Sequence, residues 1–205
     1  HIPYIQHREE DLDASSFSLG RFLLRDGGAN PDTDTARTQL EQLTLRLTGA
    51  EWLKRVALYS GNTEYASSAS ADTVQWDGLQ ITATDNSTQY LTLKVSFRDS
   101  VRDGAAIHAA IIHAEAASTG SGFALPDAGG AQTDSTGTAN HIRVQATRLV
   151  FVADSLPQWV GTSEAFGVCV QAADSLGNTA LQSTANATLS LAAGTGTLST
   201  ETPAE

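Results

Sequence analysis

The feature that most constrains this chain is the alternation of apolar and polar residues with period two, which recurs along its length. Leu43, Leu45 and Leu47 alternate with Thr44 and Arg46, Ile142, Val144 and Ala146 alternate with Arg143 and Gln145, and Tyr90 to Phe97 follows the same pattern less strictly. Successive side chains of a strand point to opposite faces, so each window has one face to bury and one to leave in water. Shorter apolar stretches, Phe17 to Leu24, Val56 to Tyr59, Val74 to Ile81 and Ile107 to Ile112, are bounded by Gly, Asn, Asp or Ser. Those residues mark turns. Leu40, Leu43 and Leu47 also fit one helical face, and Ala105 to Ala117 is Ala-rich; both segments are read as strands. Strands at this spacing predict an all-β fold of sandwich type.

The pattern divides the chain. Residues 1–15 read as an extended N-terminal segment and 16–148 as a β-sandwich domain whose last strand, at Ile142, follows a Gly/Ser/Thr/Asp-rich loop from Gly120 to Asn140. From Leu149 a new cadence begins, with strands expected over Ala165 to Ala173 and Ala187 to Ala192 around the turn Asp174-Ser175-Leu176-Gly177-Asn178. An immunoglobulin-like sandwich needs about 100 residues and seven strands. The expectation is therefore two tandem β-sandwich (Ig-like) domains, with 149–199 a partial one, incomplete or completed by another chain, and 200–205 a tail. The segment His1 to His7 belongs to no evident core. With Ile2 and Tyr4 alternating, it reads as the strand that could be donated to a neighbour.

A net charge of −11 excludes nucleic acid and anionic membrane surfaces as expected partners, since both need clustered positive charge. No apolar run reaches the 18 or more residues of a membrane-spanning helix, so no membrane insertion is expected. The lone Cys169, between Val168 and Val170, cannot form an internal disulfide and reads as a small apolar strand residue. A chain that opens at His1, with no initiator Met or signal pattern, reads as a processed or excised piece of a longer one.

Leu149-Val150-Phe151-Val152, Phe166 to Asp174 with Gly177-Asn178-Thr179, Ala187 to Leu191 and Gly194-Thr195-Gly196-Thr197-Leu198 together resemble the Ig-like β-sandwich modules repeated in very large secreted surface and adhesin proteins of Bacteroidetes-type bacteria, the cargo of a type IX secretion route. Arg25 to Thr35 with Leu43-Thr44-Leu45-Arg46-Leu47 is similar to the sandwich unit that often precedes such modules. The resemblance implies a secreted or cell-surface location, a stalk, adhesin or filament role, and neighbouring Ig-like modules or identical subunits as partners.

Chemistry-bearing residues are sparse. Asp26, Asp32 and Asp34 share one Gly- and Pro-containing loop, which reads first as carboxylates that cap and solvate a turn and second as a site for a structural calcium, a hard cation that takes several carboxylate oxygens. EF-hand spacing is absent, because counting from Asp32 puts Ala36, Arg37 and Leu43 where Asp or Asn, Gly and Glu are required. His108 and His113 are five apart, which on a regular strand puts them on opposite faces and argues against a shared metal. No Gly-x-Ser-x-Gly, P-loop or Gly-x-Gly-x-x-Gly occurs, so no enzyme is expected. Trp52, Trp76 and Trp159 fit core packing better than a sugar platform.

Asp followed by Ser or Thr recurs with hydroxyls at Thr35, Thr73, Ser100, Ser135, Ser155 and Ser175. The triplets resemble the O-glycosylation sequon of the same secreted proteins and also read as turn markers. The sequence thus points to a non-enzymatic structural or adhesive module of a bacterial extracellular protein or filament, polymerising by strand donation. The competing reading is an accessory carbohydrate- or protein-binding module of a secreted multidomain enzyme.

Overall fold

The computed structural model describes residues 1–8, 16–27, 31, 33–123, 140–152, 164, 166–190, 193 and 197. Strand makes up 51% of the described residues and no α-helix occurs among them, so the all-β expectation holds. One sheet runs, edge to edge, β1 (Ile2–Pro3), β10 (Asn140–Arg143), β9 (Ala106–Ala116), β3 (Thr38–Thr48), with β6 (Thr73–Trp76) and β7 (Ile81–Ala83) both pairing along the far side of β3. The second runs β2 (Phe17–Arg25), β8 (Thr88–Phe97), β4 (Leu53–Ser60), β5 (Thr63–Ala69). All pairs are antiparallel except β1 with β10, which is parallel. The third, smaller sheet is the antiparallel pair β11 (Arg148–Phe151) and β12 (Val170–Ala173).

The alternation explains the layers. Leu43, Leu45 and Leu47 of β3 and Leu91, Leu93 and Val95 of β8 are buried in one core cluster, to which Leu53, Val56, Leu58, Ile107 and Ile142 also belong. Burial of each such side chain contributes about 1.5–3 kcal/mol. Trp76 is buried in the same cluster, opposite Leu43 on β3, and Trp52 packs at its margin; Trp159 lies outside the described residues. The β4–β5 hairpin closes through two residues after Ser60, with Gly61 at φ +56°, the positive value a tight hairpin loop asks of its first residue.

Three expectations change. The segment His1 to His7 is part of this core: Ile2 is 3% and Tyr4 1% exposed, because β1 extends the first sheet beside β10 and a short 3-10 turn (Tyr4–His7) folds the phenol ring inward. Of the strand expected over Ala165 to Ala173, Val170–Ala173 form a strand and 166–169 do not, residues 187–190 form no strand, and 165, 191 and 192 lie outside the described residues. Cys169, expected in a strand, precedes β12 and is exposed, its carbonyl accepting from Val152 N at 2.9 Å.

Candidate functional site

The densest set of buried polar side chains lies where β12 leaves the third sheet. Asp174 follows β12 and turns back on its own chain: Oδ1 accepts from the backbone N–H of Leu176 and of Asn178, both at 2.9 Å, while Gly177 N donates to the Asp174 carbonyl at 3.2 Å. A positive φ of 95° at Gly177 lets this turn close. The other oxygen, Oδ2, accepts from the Tyr4 hydroxyl and from Asn178 Nδ2 at 3.2 Å. Asn178 uses both ends of its amide, donating from Nδ2 to the Asp99 carbonyl at 2.7 Å and accepting at Oδ1 from Val101 N at 3.0 Å. Its orientation is thereby set by a donor on one side and an acceptor on the other.

A second carboxylate, Asp103, repeats the device. It accepts from Val144 N at 2.8 Å and from Gln182 N at 3.1 Å, one partner from the sandwich and one from the segment after the turn. Tyr4, Asp174, Asn178 and Asp103 are all buried, and Tyr4 meets Phe97 edge-on with ring centroids 6.4 Å apart. At the rim, Arg8 Nε donates to Asp99 Oδ1 at 2.7 Å.

Burial, followed by the bond to the Asp174 carboxylate, pushes the Tyr4 phenol above its ordinary range. For Asp174, burial works upward, but the bonds from Tyr4, the Asn178 amide and the backbone of Asn178 and Leu176 outweigh it and hold the carboxyl below its ordinary range. These groups spend their hydrogen-bonding capacity on one another and on the backbone. The arrangement fastens three stretches of chain, the N-terminus, residues 99–103 and residues 174–182, into one joint. The Asp-x-x-Gly-Asn turn was visible in the sequence; Tyr4 was missed, because a three-residue alternation in a terminal segment is too short to signal burial.

The residues singled out from sequence do not converge. Asp26 is 1% exposed and accepts from Thr38 Oγ1 at 2.6 Å and from Asn86 N at 2.9 Å, which ties its loop to the turn before β8. Asp34 is exposed and its Oδ1 accepts from Ala36 N at 2.7 Å, while Asp32 lies outside the described residues. No cluster of three His, Cys, Asp or Glu able to hold a metal ion occurs among the described residues. Of the hydroxyl residues, Thr35, Thr73, Ser100 and Ser175 are exposed, and Ser135 and Ser155 lie outside the described residues. At Asp34 and Asp174 the carboxylate accepts the amide two residues on, so Thr35 and Ser175 each sit inside an Asx turn that leaves the residue in solvent.

His108 and His113 depart from the expectation. Their β3 partners are Thr48 and Thr44, and the pairing of Leu45 with Ile111 and of Thr44 with His113 leaves Ile112 as an extra residue. This bulge restores both imidazoles to the same face, where four residues of β3 separate their partners, roughly 13 Å at strand rise. His113 Nε2 lies 2.9 Å from Glu115.

No family model matches the chain, and no curated protein does. Among solved structures, that of a Hadza microbial sialidase, Hz136, shares 16% identity with a TM-score of 0.38 over 62% of this chain. The chain spans 29% of that structure's length, and a likeness this distant carries no functional argument.

Proposed function

We propose that the chain is a non-enzymatic structural module of a bacterial extracellular surface protein or filament, in which a β-sandwich is coupled rigidly to the segment that follows it. Neighbouring modules or identical subunits are its partners. The observation that carries this reading is the buried joint of Tyr4, Asp174 and Asn178. A flexible linker would solvate its polar groups, whereas here a following segment is bonded to the sandwich through side chains that reach across more than 70 residues of sequence. Such a joint transmits orientation from one unit to the next, as a stalk or filament requires. The exposed hydroxyls of Thr35, Thr73, Ser100 and Ser175 are the positions where the sequon-like triplets would carry O-glycan on the outside of such an assembly.

Hydrogen exchange followed by mass spectrometry tests it. Amides of 170–180 are expected to be protected as well as those of β8. Asn178→Ala is expected to release 148–151 and 170–180 first while β3 and β8 stay protected. Free exchange of 170–180 in the unaltered chain would make the segment a linker and end the proposal.

A further inference from the structure

Histidine gathers on the outer face of the first sheet, where the β9 bulge already places His108 and His113. At the edge of that sheet the parallel pairing of β1 with β10 sets Ile2 opposite Ile142, and both are buried. The residue before each points the other way, which brings His1 and His141 side by side on the outer face. Neighbouring strands are about 4.8 Å apart, close enough for two imidazoles to meet. They do so here, with ring centroids 6.0 Å apart and ring planes inclined at 50°. His1 is exposed and His141 half-buried.

That spacing suits one metal ion held between the rings. A bond from zinc to an imidazole nitrogen is about 2.0–2.1 Å, so two rings that share an ion at the tetrahedral angle have centroids roughly 5 Å apart. Rotation about the side-chain bonds of the exposed His1 covers the remainder. The strands that the two rings span have little pairing of their own. β1 is two residues long, and Pro3 has no N–H to give to the ladder. Yet the residue that follows it, Tyr4, reaches the joint at Asp174.

We propose that the imidazoles of His1 and His141 bind a divalent transition-metal ion of the zinc and copper kind, water completing its coordination, and that the ion clamps β1 to β10. Imidazole nitrogen selects such ions over calcium and magnesium, which take oxygen ligands. A chain of net −11 also draws cations toward its surface. Arg143, on the same face of β10, works against the ion, but it is exposed and two residues along the strand, roughly 7 Å away, where water weakens its repulsion. An ion that binds only the docked β1 stabilises the docking by mass action. Tyr4 is then held more firmly, and with it the joint. Metal binding itself stands apart from the structural-module reading, whereas its effect on the joint rests on that reading.

The test titrates the whole chain by calorimetry with zinc chloride and with copper chloride, and with calcium and magnesium chloride as controls, in a Cys169→Ser background that removes the single thiol. One equivalent of zinc or copper is expected to bind, and neither control. His1→Ala and His141→Ala are each expected to weaken binding about tenfold or more, and His113→Ala to leave it within about twofold. Unchanged thermal midpoints without metal establish that the variants are folded, and a variant that unfolds is replaced by the corresponding Gln. A chain with Gly-Ser placed ahead of His1 is expected to bind equally, because the imidazoles and not a terminal amine hold the ion. With zinc bound, the thermal midpoint and the protection of residues 2, 4 and 170–180 are expected to rise, and neither should rise in His141→Ala. Exchange of 170–180 is read first without metal, so the structural-module reading and the metal site fail separately. The proposal is overturned by any of five results: no saturable binding of zinc or copper, equal binding of calcium, binding that survives His141→Ala, loss of binding in the extended chain, or a bound ion that leaves the protection of residues 2 and 4 unchanged.

Discussion

Tyr4 and Asp174 act on each other's ionisation in opposite directions, and the signs give a pH prediction. The Asp174 carboxyl is depressed in the folded chain, so its contribution to stability is present above the ordinary carboxylate range and is lost as pH falls through the depressed value. The Tyr4 phenol is raised, so its contribution is present below the ordinary phenol value of about 10 and is lost as pH climbs from there toward the raised value. Tyr4→Phe is expected to lower stability near neutrality by about 1–2 kcal/mol, because the Asp174 oxygen loses its strongest donor while remaining buried. It should also abolish the alkaline loss and move the acid loss to higher pH, since Asp174 then keeps fewer of the bonds that depress it. Thermal midpoints from pH 3 to 11 read both limbs. An alkaline limb unchanged in Tyr4→Phe would assign it to another group.

At the scale of single elements, what the sequence shows and what it hides have different physical origins. The strands β3 and β8 were legible because their apolar residues alternate over ten or more residues, long enough for period two to outweigh local noise, whereas β9, in which only Ile107 is fully buried, showed itself as an Ala-rich apolar stretch without that alternation. The Ile112 bulge was not, because one inserted residue leaves composition unchanged while inverting which histidines share a face. The joint was half legible: Asp174, Gly177 and Asn178 carry turn chemistry in their identities, whereas their partners Tyr4, Asp99 and Val101 are distant in sequence and no local pattern names them. The connection from β3 to β4 offers an element-level test. Gly49 has φ +74°, and a Cβ there would lie 2.5 Å from the Ala106 carbonyl oxygen of β9. Gly49→Ala is expected to cost about 1–3 kcal/mol from backbone strain plus that clash. Urea midpoints measure it, and a shift below about 0.5 kcal/mol would mean that β9 yields easily.

For the whole molecule, the question is whether the N-terminal segment serves its own chain or a neighbour's. Its residues complete both the sheet edge at β10, through Ile2 opposite Ile142, and the joint at Asp174, through Tyr4. Removing residues 1–8 therefore uncovers an apolar edge and two buried polar groups at once, and the third sheet should suffer although none of its own residues is gone. The expected result is a lower thermal midpoint with early exchange of 148–151 and 170–180, while the β2-β8-β4-β5 sheet remains protected. Because the lost contacts lie within one short segment, a peptide of residues 1–8 added back at high concentration should restore both properties by strand addition. The same peptide with Tyr4→Phe should restore the sheet edge but leave 170–180 less protected, which separates the contribution of the β1 pairing from that of the phenol. If truncation leaves the midpoint unchanged, Ile2 and Tyr4 do not hold the fold, and the segment becomes available for donation to another copy.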